Sequence, residues 1–158
     1  MLGCLPLATF AAAGDQCVET GCTGTYDNRG LCSRSSHYEP PALVDDYYQI
    51  SNAGHLLWFA DKVSSSYTGT INAVLLADIV LPIGPFMSIG LSSSVPFAGI
   101  FDGRDHTVDF IYVTSMVSDT YGLFGYVTGT VKNVKVRNFS FGMSNSFVNV
   151  GAIAQYND

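Results

Sequence analysis

The chain has 158 residues, enough for one domain with a sizeable core, and a formal net charge of −6 from 7 basic and 13 acidic residues. Charged residues make up only 13%, with Gly, Ser, Thr and Asn filling the difference beside many Val, Ile, Phe and Tyr, a mixture that suits turn-rich β-structure and not a helical bundle. The basic cluster Lys132, Lys135 and Arg137 is too sparse to track a phosphate backbone, so no nucleic-acid partner is expected.

Residues 1–13 are apolar and end in Ala11-Ala12-Ala13, which reads as the h-region and small-residue cleavage site of a secretory signal that lacks its basic n-region. The expectation is an exported protein, secreted or held at the cell surface. No apolar run approaches the roughly 20 residues that cross a bilayer, so no membrane span is expected.

Residues 14–46 form a Cys-containing leader that closes on Glu39-Pro40-Pro41, read as a hinge. All four cysteines fall within the first 32 residues, so the main domain is not a disulfide scaffold. Cys17, Cys22, Cys32 and His37 offer three thiolates and an imidazole, the number and softness that tetrahedral zinc takes. Neither half carries the C-x2-C knuckle of a zinc ribbon. The set is therefore open between a zinc site, a degenerate ribbon and a disulfide between two of the three cysteines.

The main domain spans 47–158. "YYQI" (47–50) reads as a strand, and Ser51 or Asn52 as the N-cap of a helix over 53–64. In that segment Ala53, Leu56, Leu57, Ala60 and Val63, joined by Phe59, share one apolar face, with Gly54 as its weak position and His55 expected toward solvent. "NAVLLADIVL" (72–81) reads as a strand ended by Pro82 and Pro85, and 87–95 as a loop with some strand character. From Phe97 onward the chain repeats itself. "GIFDGRDHTVDFIYV" (99–113) overlays "GLFGYVTGTVKNVKV" (122–136) at an offset of 23 residues, placing Phe101 over Phe124, Val108 over Val131 and Ile111 over Val134. "VGAIAQY" (150–156) makes a looser third copy, Gly151 over Gly122, with the extra residues in a longer turn within 140–149.

Stacked repeats of this kind predict an all-β, right-handed parallel β-helix rather than a β-sandwich, with Val108, Ile111, Val131 and Val134 inside and the 53–64 helix capping the first turn. The domain is expected to be C-terminally incomplete, so that an open edge near 151–156 would drive self-association.

In order, "YYQISNAGHLLWFADKVSS", "NAVLLADIVL", "PFAGIFDGRDHTV", "YGLFGYVTGTVKNVKV" and "VGAIAQYN" resemble bacterial cell-surface proteins carrying GLUG-type repeats, over residues 47–157. The resemblance implies exported, adhesin-like or scaffold proteins with parallel β-helical segments, and no single chemistry. Two departures stand out: Asp105 in place of a glycine, and Ala154-Gln155 in place of a glycine-containing end. The leader "GTYDNRGLCSRSSHYEPP" is similar too, with Ser35 where those proteins carry a second cysteine.

Asp102, Asp105, His106 and Asp109 could serve as an acid/base pair or a calcium site, as in a polysaccharide lyase or hydrolase. Asp102-Gly103 is also a turn dipeptide whose carboxylate bonds its own backbone, and that reading is favoured. Tyr112 and Tyr126, expected to face outward, could stack on sugar rings. The sequence thus points to a non-catalytic exported surface module without cofactor, whose partners are glycans or proteins. A carbohydrate-active enzyme and a carbohydrate-binding module are the alternatives.

Overall fold

A computed structural model describes residues 13–18, 20–34, 37–65, 70–114, 120–142 and 149–157. Most of the apolar start with Cys4, Ser35, and 143–148 of the expected longer turn lie outside the described residues. Among the described residues there is one helix, α1 (Ala53–Ser65). Before it come β1 (Leu43–Val44) and β2 (Tyr47–Ile50), and after it β3 (Asn72–Leu75) and β4 (Ile79–Val80). Next are β5 (Ile100–Asp102), β6 (Thr107–Asp109), β7 (Tyr112–Thr114), β8 (Thr120–Tyr121) and β9 (Phe124–Val127). The last group is β10 (Thr130–Lys132), β11 (Lys135–Arg137), β12 (Ser140–Gly142), β13 (Asn149–Val150) and β14 (Ala154–Asn157), which pairs strand for strand with β5 to β9.

Helix α1 forms where the apolar spacing places it. Asn52 is its N-cap: the Oδ1 atom accepts the His55 backbone N–H at 2.8 Å. Ala53, Leu56, Phe59, Ala60 and Val63 are buried, while Leu57 and Trp58 stand half-buried at the margin. Trp58 is held there by the Tyr48 ring at 5.2 Å and by the Lys62 ammonium 5.8 Å from its centroid. Gly54 costs helix propensity, yet a Cβ at 54 would strike the carbonyl of Gly30, so the leader's close approach requires glycine here.

The strands form five sheets in the orders β1-β2-β3-β5-β10, β11-β6-β4, β12-β7, β13-β8 and β14-β9. The pair β1–β2 is antiparallel and the others are parallel. The expectation of an all-β, right-handed parallel β-helix is therefore corrected: the chain is a mixed α/β arrangement, a 13-residue helix packed with several small sheets of both senses. The internal register differs as well. Val131 lies opposite Phe101, and Val136, not Val131, lies opposite Val108, so partners stand 28 to 30 residues apart rather than 23. The cause is backbone approach at the turns. A Cβ on Gly99 would meet the carbonyl of Ile71, one on Gly129 the carbonyl of Gly99 and one on Gly122 the carbonyl of Gly151, so these glycines set the stacking, and the match of Gly151 over Gly122 is kept.

The core lies between α1 and the strands. Phe59, Phe97, Phe101 and Phe124 are fully buried, and the rings of Phe101 and Phe124 meet edge to face at 5.1 Å across the interior instead of stacking in one ladder. Val108 and Ile111 are fully buried as expected. Val131 and Val134 are only half-buried: β10 is an edge strand with a neighbour on one side, and Val134 lies in the turn between β10 and the edge strand β11.

Candidate metal centre

Two loops of the leader bring three of the four soft donors into one group and set the fourth, Cys32, beside Cys22. The Cys17 N–H donates to the Gly24 carbonyl at 3.0 Å, closing a loop that carries Cys17 and Cys22. The Cys32 N–H donates to the His37 carbonyl at 3.1 Å, closing a second loop that carries Cys32 and His37. Antiparallel bridges Gln16–Thr25 and Leu31–Tyr38 close the necks of the two loops, and Tyr26–Cys32 fastens one to the other. Cys17 Sγ lies 3.6 Å from His37 Nδ1, and Cys22 Sγ lies 3.3 Å from Cys32 Sγ, without a disulfide. A donor atom from each of Cys17, Cys22 and His37 falls within 4.8 Å of the others. The Gly24 N–H donates to Cys22 Sγ at 3.4 Å, the bond that favours a thiolate. Buried Tyr26 lies beneath: its hydroxyl donates to the Tyr38 carbonyl at 3.4 Å, accepts the Val18 N–H at 3.3 Å and reaches the Cys17 side chain. Of the residues singled out as possible zinc ligands, Cys17, Cys22 and His37 form one donor group and Cys32 adjoins it through Cys22, which their spacing alone did not establish.

The leader docks on the start of α1 through groups that the sequence left unassigned. Glu39, read as part of a hinge, is buried, with Oε2 accepting from Asn52 Nδ2 at 2.9 Å and Oε1 lying 3.3 Å from His55 Nε2. His55, expected toward solvent, is buried too. Its Nδ1 accepts the Ser51 backbone N–H at 3.2 Å, which leaves the proton on Nε2, facing Glu39. The Gly54 N–H donates to the Arg29 carbonyl at 2.6 Å. Leader and helix are joined by polar contacts, and the Ser51–His55–Glu39 row is closed off inside that joint.

The acidic cluster of β5 and β6 is occupied with the backbone and with cations of the next strands. The Asp102 carboxylate accepts the Arg104 N–H at 3.0 Å and Asn133 Nδ2 at 3.1 Å, and Lys132 Nζ stands at 3.3 Å. The turn bond from Arg104 chiefly holds this carboxyl below its ordinary range. Asp109 accepts from Arg137 at 2.9 Å and Asn138 at 2.7 Å, and the arginine in particular holds its carboxyl below its ordinary range. His106 lies 3.2 Å from Asp78, whose other donor, the Thr107 N–H at 2.9 Å, is the main cause of its lowered pKa. Asp105 sits at φ 65° and Arg104 at φ 45°, left-handed backbone that the glycine of similar sequences would adopt more readily. The cations Lys132, Lys135 and Arg137 each face a member of this cluster, Lys135 at 4.0 Å from Asp105.

These groups fix the sign of the pH dependence. Burial pushes the His55 imidazole below its ordinary range despite the neighbouring Glu39. Unfolded histidine titrates near ~6.5, so this contribution to stability is complete above that pH and is lost as the pH falls toward the lower folded value. The depressed carboxyls of Asp78, Asp102 and Asp109 act in the same sense in more acid solution, below about pH 4. Thermal melts from about pH 8 to pH 5 are expected to show a falling midpoint below ~6.5, with a flatter slope in His55→Gln. A midpoint that rises over the same range would contradict the assignment.

Tyr112 is 39% exposed and Tyr126 half-buried, and they belong to the separate sheets β12-β7 and β14-β9, so they do not share one ladder. A cleft of about 250 Å³ runs beside the metal-ligand set, lined by Cys32, His37, Leu57, Leu81, Pro85 and Phe86 among others. Among the described residues no helix is long and apolar enough to cross a membrane. Comparison with protein-family models, with curated proteins and with solved structures finds no match to this chain.

Proposed function

We propose that the chain is a non-catalytic, exported bacterial surface module that displays or adheres, with glycans or proteins as its partners. The observation that carries this reading is the bonding of the acid–histidine cluster. Asp102 closes its own turn, and Asp102 and Asp109 are paired with Lys132 and Arg137 on the adjacent strands. Groups held this way stabilise a surface rather than wait for a substrate, since a general acid or base needs a proton-transfer partner within reach and a place for the reacting atom. The resemblance to surface proteins with GLUG-type repeats and the signal-like first residues support export.

A panel of polysaccharides, assayed for both cleavage and retention, tests the reading with wild type and the Asp102→Ala, Asp105→Ala double variant. Neither protein is expected to cleave any member, and the double variant should differ in stability alone. Cleavage by wild type that the double variant loses would assign the chain to carbohydrate-active enzymes. Retention abolished by Tyr112→Ala would replace the general adhesive role by sugar binding at that ring.

A further inference from the structure

We propose that Cys17, Cys22, Cys32 and His37 bind one zinc ion in a closed, structural centre that holds the leader folded against α1. Tetrahedral zinc with bonds of ~2.3 Å to sulfur and ~2.0 Å to nitrogen places its ligands ~3.8 Å apart for S···S and ~3.5 Å apart for S···N. The 3.6 Å from Cys17 Sγ to His37 Nδ1 matches that spacing, and Cys17, Cys22 and His37 offer donor atoms within 4.8 Å of one another. Cys32 stands outside that group, 3.3 Å from Cys22 Sγ, and supplies the fourth ligand by turning its side chain toward the ion. The donors come as two pairs from two similarly closed loops, so the ion would tie one loop to the other. Three sulfurs and an imidazole select a soft or borderline ion over calcium or magnesium. Four protein ligands leave no open position, which makes the centre structural rather than catalytic.

The surroundings suit the ion. The Gly24 N–H supports the Cys22 thiolate, and Tyr26 orients Cys17 from below. A Cβ at 24 would stand 2.5 Å from Cys32 Sγ, so glycine leaves the sulfurs their room. Few leader residues are buried, Cys17, Tyr26 and Glu39 among them, and a segment with so little core gains its fold from a metal as small zinc modules do. On binding, the three thiols release their protons to solvent while three Zn–S bonds and one Zn–N bond form. The anchored leader then presents Arg29, Gly30 and Glu39 to the N-terminus of α1.

The test uses the full chain, reduced and exposed to zinc chloride, followed by gel filtration and metal analysis. One zinc per chain is expected, together with protection of three thiols from alkylation and a thermal midpoint that falls on chelation and returns with zinc but not magnesium. Cys22→Ser should lower zinc affinity by at least a hundredfold, His37→Ala by at least tenfold, and Cys4→Ser should change nothing. If the variants fail to fold, the wild-type zinc content and thiol protection decide alone. A reduced wild-type chain that retains no zinc, or that alkylates equally with and without it, overturns the proposal. So does a Cys22–Cys32 disulfide whose reduction brings no zinc uptake.

Discussion

Replacing Val108 by aspartate is expected to unfold the domain at room temperature or bring it close to unfolding. Val108 is fully buried in the middle strand of a three-stranded sheet, with Ile79 opposite on one side and Val136 on the other. A buried, unpaired carboxylate there costs several kcal/mol, against a total stability of roughly 5–15 kcal/mol for a domain. Urea denaturation reads the loss. Val80→Asp serves as the control, because Val80 is 57% exposed in the same sheet and its replacement should move the midpoint by no more than ~0.5 kcal/mol. Equal losses from the two substitutions would mean that the sheet does not face the core as described.

Phe101→Ala should cost about 3–5 kcal/mol, the range for removing a fully buried aromatic ring. The ring of Phe101 touches Phe59 of α1 at 6.1 Å and Phe124 of β9 at 5.1 Å, so it joins the helix to two separate sheets. Its removal is therefore expected to lower the helical and strand signals together, with one shared midpoint in circular dichroism and tryptophan fluorescence, the latter reporting on Trp58. Two separated transitions would show that α1 is not part of the same cooperative unit.

Much of α1 is legible in the sequence because local signals agree there: an Asn52 cap, an apolar stripe at helical spacing and polar residues on the other face. The strands near 47–50 and 72–81 are legible for the same reason, although the second breaks at Leu76–Asp78 into β3 and β4. Register is not legible in the same way. Glycine, phenylalanine and valine recur at an offset of 23 as well as at 28 to 30, and residue types do not tell the two apart. What separates them is backbone geometry, namely the close approach of Gly129 to Gly99 and the left-handed turns at Arg104, Asp105 and Asn133. The architecture is hidden with the register, since one repeated overlay fits a single all-β stack where the chain forms several small sheets and a helix.

The candidate site divides along the same line. The donor set Cys17, Cys22, Cys32 and His37 can be read from residue chemistry, but its convergence depends on hairpins whose pairing leaves no periodic trace in the sequence. The burial of His55 was invisible for a related reason. Its position in the first turn of a helix points to solvent unless another segment covers it, and the covering carboxylate, Glu39, lies before Pro40-Pro41 in a stretch that reads as a hinge. Gly54 was the available clue, a poor helix former placed where another backbone comes close.

Zinc K-edge X-ray absorption on the full, reduced, zinc-loaded chain reads the leader's centre most directly. The expected shell holds three sulfurs at ~2.3 Å and one nitrogen at ~2.0 Å. A shell of nitrogen and oxygen alone would contradict a centre built from Cys17, Cys22, Cys32 and His37.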